Sequence, residues 1–217
     1  MRTLITGTSQ GIGKALAQIF LDNGHEVIGF DRQDAGITHE RYTHFCLDVR
    51  GDLPEITDVE ILINNAGGGI AIKETADLSV EEIDKTIKLN LNSVIYGSRA
   101  FADMMKEAKT GTVINVSSVC ARHCWPGWSV YAAAKAGVLN FSKGFYVEMQ
   151  PYNVRVTCVI PASASTGLQS ACGIGETYDA LMIEDIADTV MYVCNLPQRA
   201  TVEDVTVWGI GQVVNPL

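Results

Sequence analysis

The chain has 217 residues, 47% of them apolar and 19% charged, a balance that fits a filled core and argues against disorder. Sixteen Lys and Arg against 25 Asp and Glu give a net charge of -9, which repels phosphate backbones and anionic membranes. No apolar run reaches the ~18 residues of a membrane span, and the start, Met1 to Gly7, lacks the apolar stretch of a leader, so the expectation is a cytoplasmic protein without nucleic-acid or membrane partners.

Arg2–Thr6 reads as a short apolar strand. It runs through Thr6-Gly7-Thr8-Ser9-Gln10-Gly11-Ile12-Gly13 into a helix over Ile12–Asn23, with Ile12, Leu16, Ile19 and Phe20 at helical spacing. Glycines there permit a tight turn and close backbone approach to a pyrophosphate, and the free N–H groups of the helix start favour its charge. The spacing is G-x-x-x-G-x-G rather than G-x-G-x-x-G, and alone it also fits a plain tight turn. Val27–Phe30 is the second strand. Asp31 ends it eighteen positions beyond Gly13, where a carboxylate can bind the hydroxyls of an adenosine ribose. That charge repels a 2′-phosphate, so NAD is expected over NADP. Arg32, next along, softens the preference. Thr43–Leu47 is the third strand, and Asp48 behind it is a second acceptor at the same sheet edge.

Ile61–Ile63 forms a fourth strand, followed by Gly67-Gly68-Gly69. Ser79–Lys109 reads as one long helix, begun by a capping box of Ser79 and Glu82. Asn90 sits in its middle, where Asn is unfavourable. The strand Thr112–Val116 ends at Ser117-Ser118, of which only one can face a pocket. Cys124-Trp125-Pro126-Gly127-Trp128 leads into a helix over Ser129–Gln150, which Pro151 ends. A strand over Val154–Ile160, a helix over Glu184–Asn195 and a strand over Val202–Val207 complete the chain. Strands separated by helix-length connections make this an α/β protein, with a parallel sheet covered on both faces in one domain over residues 1–217. The small, polar segment at about 162–181 lies beyond a strand end, where open sheets bind substrate. Six scattered cysteines read as reduced, small hydrophobes. Cys120, His123 and Cys124 lack the spacing of a zinc site, so no metal is expected.

Tyr131 and Lys135 lie four apart on one helical face and can converge on one ligand. A phenol with a pKa of about 10 is a poor base at neutral pH, and a neighbouring cation favours the phenolate. Tyr131 is therefore a candidate proton donor and acceptor for an alcohol/carbonyl couple. By chance alone many helices hold such a pair.

Together these features resemble the short-chain dehydrogenase/reductase family across nearly the whole chain. Thr6–Gly13 matches TGxxxGxG, Asn64-Asn65-Ala66-Gly67 matches NNAG, Asn90 matches the helix asparagine, and Tyr131 with Lys135 matches YxxxK. Ser118 precedes Tyr131 by the family's thirteen residues, which selects it over Ser117. The resemblance implies a Rossmann-type doubly wound parallel sheet in three αβα layers. It implies an NAD(P)-dependent oxidoreductase that interconverts a secondary alcohol and a ketone or aldehyde by hydride transfer. Tyr131 would be the general acid/base, Lys135 would bind the nicotinamide ribose and favour the phenolate, Ser118 would hold the substrate oxygen, and Asn90 would hold a relay water. Gly7, Ser9, Gln10, Gly11, Ile12 and Gly13 would surround the pyrophosphate, with Asp31 and Arg32 at the ribose. Asp48 and Val49 would border the adenine. Asn65, Ala66 and Gly67 would line the cleft, and Pro161 and Thr166 would lie beside the nicotinamide. Family members commonly pair their two long helices, so a homodimer or homotetramer is expected, with Phe141, Phe145 and Tyr146 outside the inward face.

Three departures stand out. Only sixteen residues separate Asp48 from Asn65, so one sheet-covering helix between the third and fourth strands is missing. Pro161-Ala162 replaces the family's Pro-Gly. Little chain follows Thr166. Trp125 and Trp128 wall the substrate site or pack on another subunit, and His123 reads as a plain loop residue. The competing reading is a catalytically silent dinucleotide-binding sensor or scaffold.

Overall fold

Apolar strands that alternate with amphipathic helices become one seven-stranded parallel sheet in the computed structural model, which describes residues 1–166 and 180–212. The order is β3-β2-β1-β4-β5-β6-β7. The strands are β1 (Arg2–Thr6), β2 (Glu26–Asp31), β3 (Tyr42–Cys46), β4 (Ile61–Asn64), β5 (Gly111–Val116), β6 (Val154–Pro161) and β7 (Asp204–Val207). The helices are α1 (Gly11–Asp22), α2 (Val80–Ile87), α3 (Ser93–Ala108), α4 (Ser129–Met149) and α5 (Ile183–Cys194). Leu4 of β1 pairs with Ile28 on one side and Leu62 on the other, so the strand order reverses about β1. A crevice opens at the carboxyl ends of the strands at such a point.

Alternate residues of the buried strands feed two cores. Ile5, Ile63, Ile114 and Cys158 pack with Leu16 and Phe20 of α1 and Val190 of α5. Leu4, Leu62, Val113 and Val156 pack with Phe101 and Met105 of α3 and Phe145 and Met149 of α4. Each such large side chain contributes roughly 1.5–3 kcal/mol of burial. The connection over 47–60 holds no helix, as the short spacing requires.

Two expectations need correction. Ser79–Lys109 is not one regular helix. The capping box of Ser79 and Glu82 starts α2 as expected. The chain then widens into a π turn over Lys88–Asn92, around Asn90, before α3 begins. Phe145 does not lie outside the inward face. Val138, Ser142, Phe145 and Met149 form the buried stripe of α4, three to four residues apart.

Arg155 is buried in β6. Its guanidinium donates to the carbonyls of Cys194 (3.0 Å) and Leu196 (2.8 Å) and so caps the negative end of the α5 dipole. Among the described residues no helix is long and apolar enough to cross a membrane.

Candidate active site

The turn between β1 and α1 is shaped by its glycines. Gly7 and Gly11 have φ of +79° and +55°, and a Cβ on Gly13 would stand 1.9 Å from the Gly7 carbonyl oxygen. Thr6 and Asn65 tie this turn to the end of β4. The Thr6 hydroxyl accepts the N–H groups of Asn65 (3.0 Å) and Ala66 (2.9 Å), and the Asn65 amide donates to the Thr6 carbonyl (2.9 Å). Asp31 faces the same turn. One carboxylate oxygen accepts the Ser9 N–H (2.9 Å) and the other the Gln33 N–H (3.0 Å). Behind it, Tyr42 donates to Thr8 (2.8 Å) and contacts His44 (3.0 Å), whose other ring nitrogen meets the Gln33 carbonyl (2.8 Å). A carbonyl only accepts, so that nitrogen carries a proton.

Gln10 and Arg32 are exposed, and Ile12 packs against the core. Thr166 comes to the turn from beyond β6, 3.7 Å from where a Gly11 Cβ would stand. Pro161 ends β6, and Ala162 donates to Val207 (2.8 Å) without a positive φ. Asp48 is engaged by Arg50, whose guanidinium contacts both carboxylate oxygens and holds the carboxyl below its ordinary range. Val49 is buried in the core. Of the expected substrate segment at 162–181, residues 167–179 lie outside the described residues.

The second cluster forms where α4 meets the π turn. Tyr131 and Lys135 lie one turn apart on the inward face of α4, and both are buried. The Lys135 ammonium donates to the Val116 carbonyl (3.1 Å) and lies 5.7 Å from the Tyr131 ring centroid. Burial draws its pKa down to about 8. Asn90 is fully buried. Its amide holds Gly68 at both ends, accepting from its N–H and donating to its carbonyl, each at 2.9 Å. A Cβ on Gly67 would stand 3.0 Å from Asn90 Oδ1 and 3.1 Å from Lys135 Nζ, so only glycine passes between them without a shift.

Ser117 and Ser118 part as neighbours on a strand must. Ser117 is buried and donates to the Lys135 carbonyl (2.8 Å). Ser118 is partly exposed and accepts the Cys120 N–H (3.2 Å). Trp128 stands edge-on to Tyr131, with centroids 5.3 Å apart. Tyr131 belongs to a small apolar cluster with Cys120 and Ala132, against which Ile72, Trp125 and Trp128 pack.

Sequence reading placed Thr6 in the glycine motif without a role of its own, set Ser117 aside for Ser118, and did not single out Tyr42 or His44. Polar side chains at Thr6 and Ser117, in otherwise apolar strand ends, were the available signal. Tyr42 and His44 gave none, because an edge strand tolerates both.

The glycine turn, the Asp31 carboxylate held by two N–H groups and the tight passage at Gly67 suit a dinucleotide laid across the crevice. The short chain dehydrogenase sequence profile matches residues 2–176. The chain is 30% identical to the NADP-dependent 3-hydroxy acid dehydrogenase of Salmonella typhi, over 98% of this chain and 96% of that one. It is 31% identical to the cyclopentanol dehydrogenase of a Comamonas species, over 75% of this chain and 72% of that one. A structure of serine dehydrogenase complexed with NADP+ superposes with a TM-score of 0.93 at 26% identity, covering 100% of this chain and 98% of the other. Fold, motif placement and relatives agree, and the chain belongs to the short-chain dehydrogenase/reductase family.

Proposed function

We propose that the protein interconverts a secondary alcohol and a ketone or aldehyde, with Tyr131 as general acid/base and NAD(P) as cofactor. One observation carries this reading: a buried ammonium with a depressed pKa lies beside a buried phenol on the same helical face. The bound nicotinamide would supply or accept the hydride. The side chains handle the proton and the orientation. Tyr131 removes the hydroxyl proton of an alcohol and returns it to a carbonyl oxygen. Lys135, held by the Val116 carbonyl, favours the phenolate and holds the nicotinamide ribose. Ser118 donates to the substrate oxygen, and Asn90 holds the water that relays the proton outward. Gly7 to Gly13 take the pyrophosphate, Asp48 and Val49 border the adenine, Asn65, Ala66 and Gly67 line the cleft, and Pro161 and Thr166 flank the nicotinamide. Replacing Tyr131 with Phe should lower kcat by about 10²–10⁴-fold while cofactor Kd stays within a few-fold. Full kcat in Tyr131→Phe would remove the assignment.

The finer reading is a preference for NAD(H). Support comes from Asp31, whose two oxygens accept the Ser9 and Gln33 N–H groups and so stand fixed at the turn. A fixed negative charge there opposes a 2′-phosphate, and the exposed Arg32 only partly offsets it. The 3-hydroxy acid dehydrogenase and the serine dehydrogenase structure above are named with NADP, so the comparison of NADH and NADPH affinities is decisive. NADH should bind more tightly, and Asp31→Ser should narrow or reverse the difference. Equal affinities for the unaltered protein would reject the preference.

The proposed assembly is a homo-oligomer in which a second copy covers the face between α3 and α4. Ile95, Ala102, Phe141 and Phe145 line a groove of about 250 Å³ there, with Arg99 and Glu148 also lining it. Both signs of charge on one surface suit two-fold pairing. Val147 is exposed on the same helix.

A further inference from the structure

Resting on the proposed oxidoreductase reading, we infer that the pocket beside Ser118 and Tyr131 takes an uncharged, apolar alcohol or carbonyl compound and discriminates against substrates that bear a carboxylate. The inference comes from an inventory of cations. A carboxylate in a desolvated pocket needs a positive or strongly donating partner.

Two segments pack into the apolar cluster that holds Tyr131: the strap after β4, through Ile72, and the loop after β5, through Cys120, Trp125 and Trp128. The strap from Asn65 to Leu78 contains one cation, Lys73, and the loop from Ser117 to Trp128 contains Arg122 and His123. Lys73 is paired with Glu82 at 2.6 Å. Glu82 is itself fixed by the Ser79 N–H and hydroxyl, and its carboxyl is held down at about 2, so it stays ionised. Arg122 reaches β7 instead, where it pairs with Asp204 (2.5 Å) and donates to Thr206 (2.8 Å). The His123 ring packs against Trp208 and Trp125, with centroids 5.7 Å and 6.2 Å away. Lys135 serves Val116 and the Tyr131 side of the site.

The last third of the chain adds no cation to the crevice. After Arg155 the sequence contains one cation, Arg199, and no histidine. Arg199 precedes β7, so it sits at the amino-terminal end of the sheet, away from the crevice. Between Val156 and Gln198 the sequence has five acidic residues and no basic one, so this stretch offers an anion no cationic partner. Tyr131 sits in an apolar cluster with Trp128 edge-on to it. A ring or a short alkyl group gains burial there, whereas a carboxylate loses hydration beside cations already paired with Glu82 and Asp204.

A matched pair tests this directly. The full chain with saturating cofactor is assayed on 3-hydroxybutyrate and its methyl ester, with cyclopentanol and 2-propanol as neutral probes. The ester should exceed the acid in kcat/KM by at least about tenfold. Trp128→Ala should lower kcat/KM for cyclopentanol several-fold more than for 2-propanol. Lys73→Met and Arg122→Met should leave the acid-to-ester ratio unchanged. An acid turned over as well as its ester, or acid turnover abolished by either Met variant, overturns the inference and leaves the oxidoreductase reading intact. Turnover of none of the four compounds while NADH or NADPH still binds counts against that reading instead. The pair is then titrated against the NADH-loaded protein: tighter binding of the ester supports the inference, and any other result overturns it.

Discussion

Lys135 carries the sharpest conflict at the scale of single residues. Its ammonium is buried with a carbonyl as partner, and the depressed pKa shows that the fold disfavours its charge. Below about pH 8 both the native and unfolded chains hold this proton, and the native state bears the full penalty. Between that pH and about 10.5 the native state releases the proton first, so this group makes stability rise with pH. Lys135→Met should therefore abolish turnover yet stabilise the fold at pH 7 by about 1–3 kcal/mol, and it should remove that part of the slope. Urea unfolding of both proteins at pH 7 and pH 9.5 checks the sign. A less stable variant at pH 7 would show that the Val116 contact outweighs desolvation. YxxxK spacing shows that the pair shares a face. Burial, which sets the pKa, arises only when α4 packs on β5 and β6.

Secondary-structure elements owe their positions to a few close approaches. Asn64, at the end of β4, donates to Ser98 (3.1 Å) and Asn115 (2.9 Å), and Asn115 donates onward to Ser142 of α4 (3.0 Å). This buried chain of amides links α3, β4, β5 and α4. Asn64 Oδ1 lacks a hydrogen-bond partner and faces Gly97, where a Cβ would stand 2.2 Å away. Gly97→Ala should destabilise the protein by about 1–3 kcal/mol, because backbone and amide must both move. A Tm unchanged within a degree would mean that the amide swings away at no cost. The π turn at Asn90 belongs to this scale as well. Helical periodicity runs through Ser79–Lys109 without announcing it, since one added residue per turn leaves the apolar spacing nearly intact. Element type was legible nearly throughout, and boundaries fell within about two residues.

For the whole molecule, the number of copies that work together is a measurable consequence of the α3–α4 face. If a second copy covers the α3–α4 face, light scattering should give at least twice the monomer mass at micromolar concentration. Phe141→Glu should then yield a monomer, because it puts an unpaired charge into the groove. A monomeric unaltered protein would reject the pairing. Topology follows from pattern: apolar strands spaced by amphipathic helices admit few arrangements besides a doubly wound parallel sheet. The absent helix between β3 and β4 is likewise a matter of counting residues. Chain order and local chemistry were enough for the sheet, the glycine turn, the Asp31 position and the Tyr131–Lys135 spacing, because each depends on neighbours within a few turns. Folding settled the burial of Lys135, the capture of Asp48 by Arg50, the pairing of Lys73 with Glu82 and of Arg122 with Asp204, and the inward turn of Phe145. These depend on which surfaces meet across the sheet, and that contact joins residues far apart in the chain.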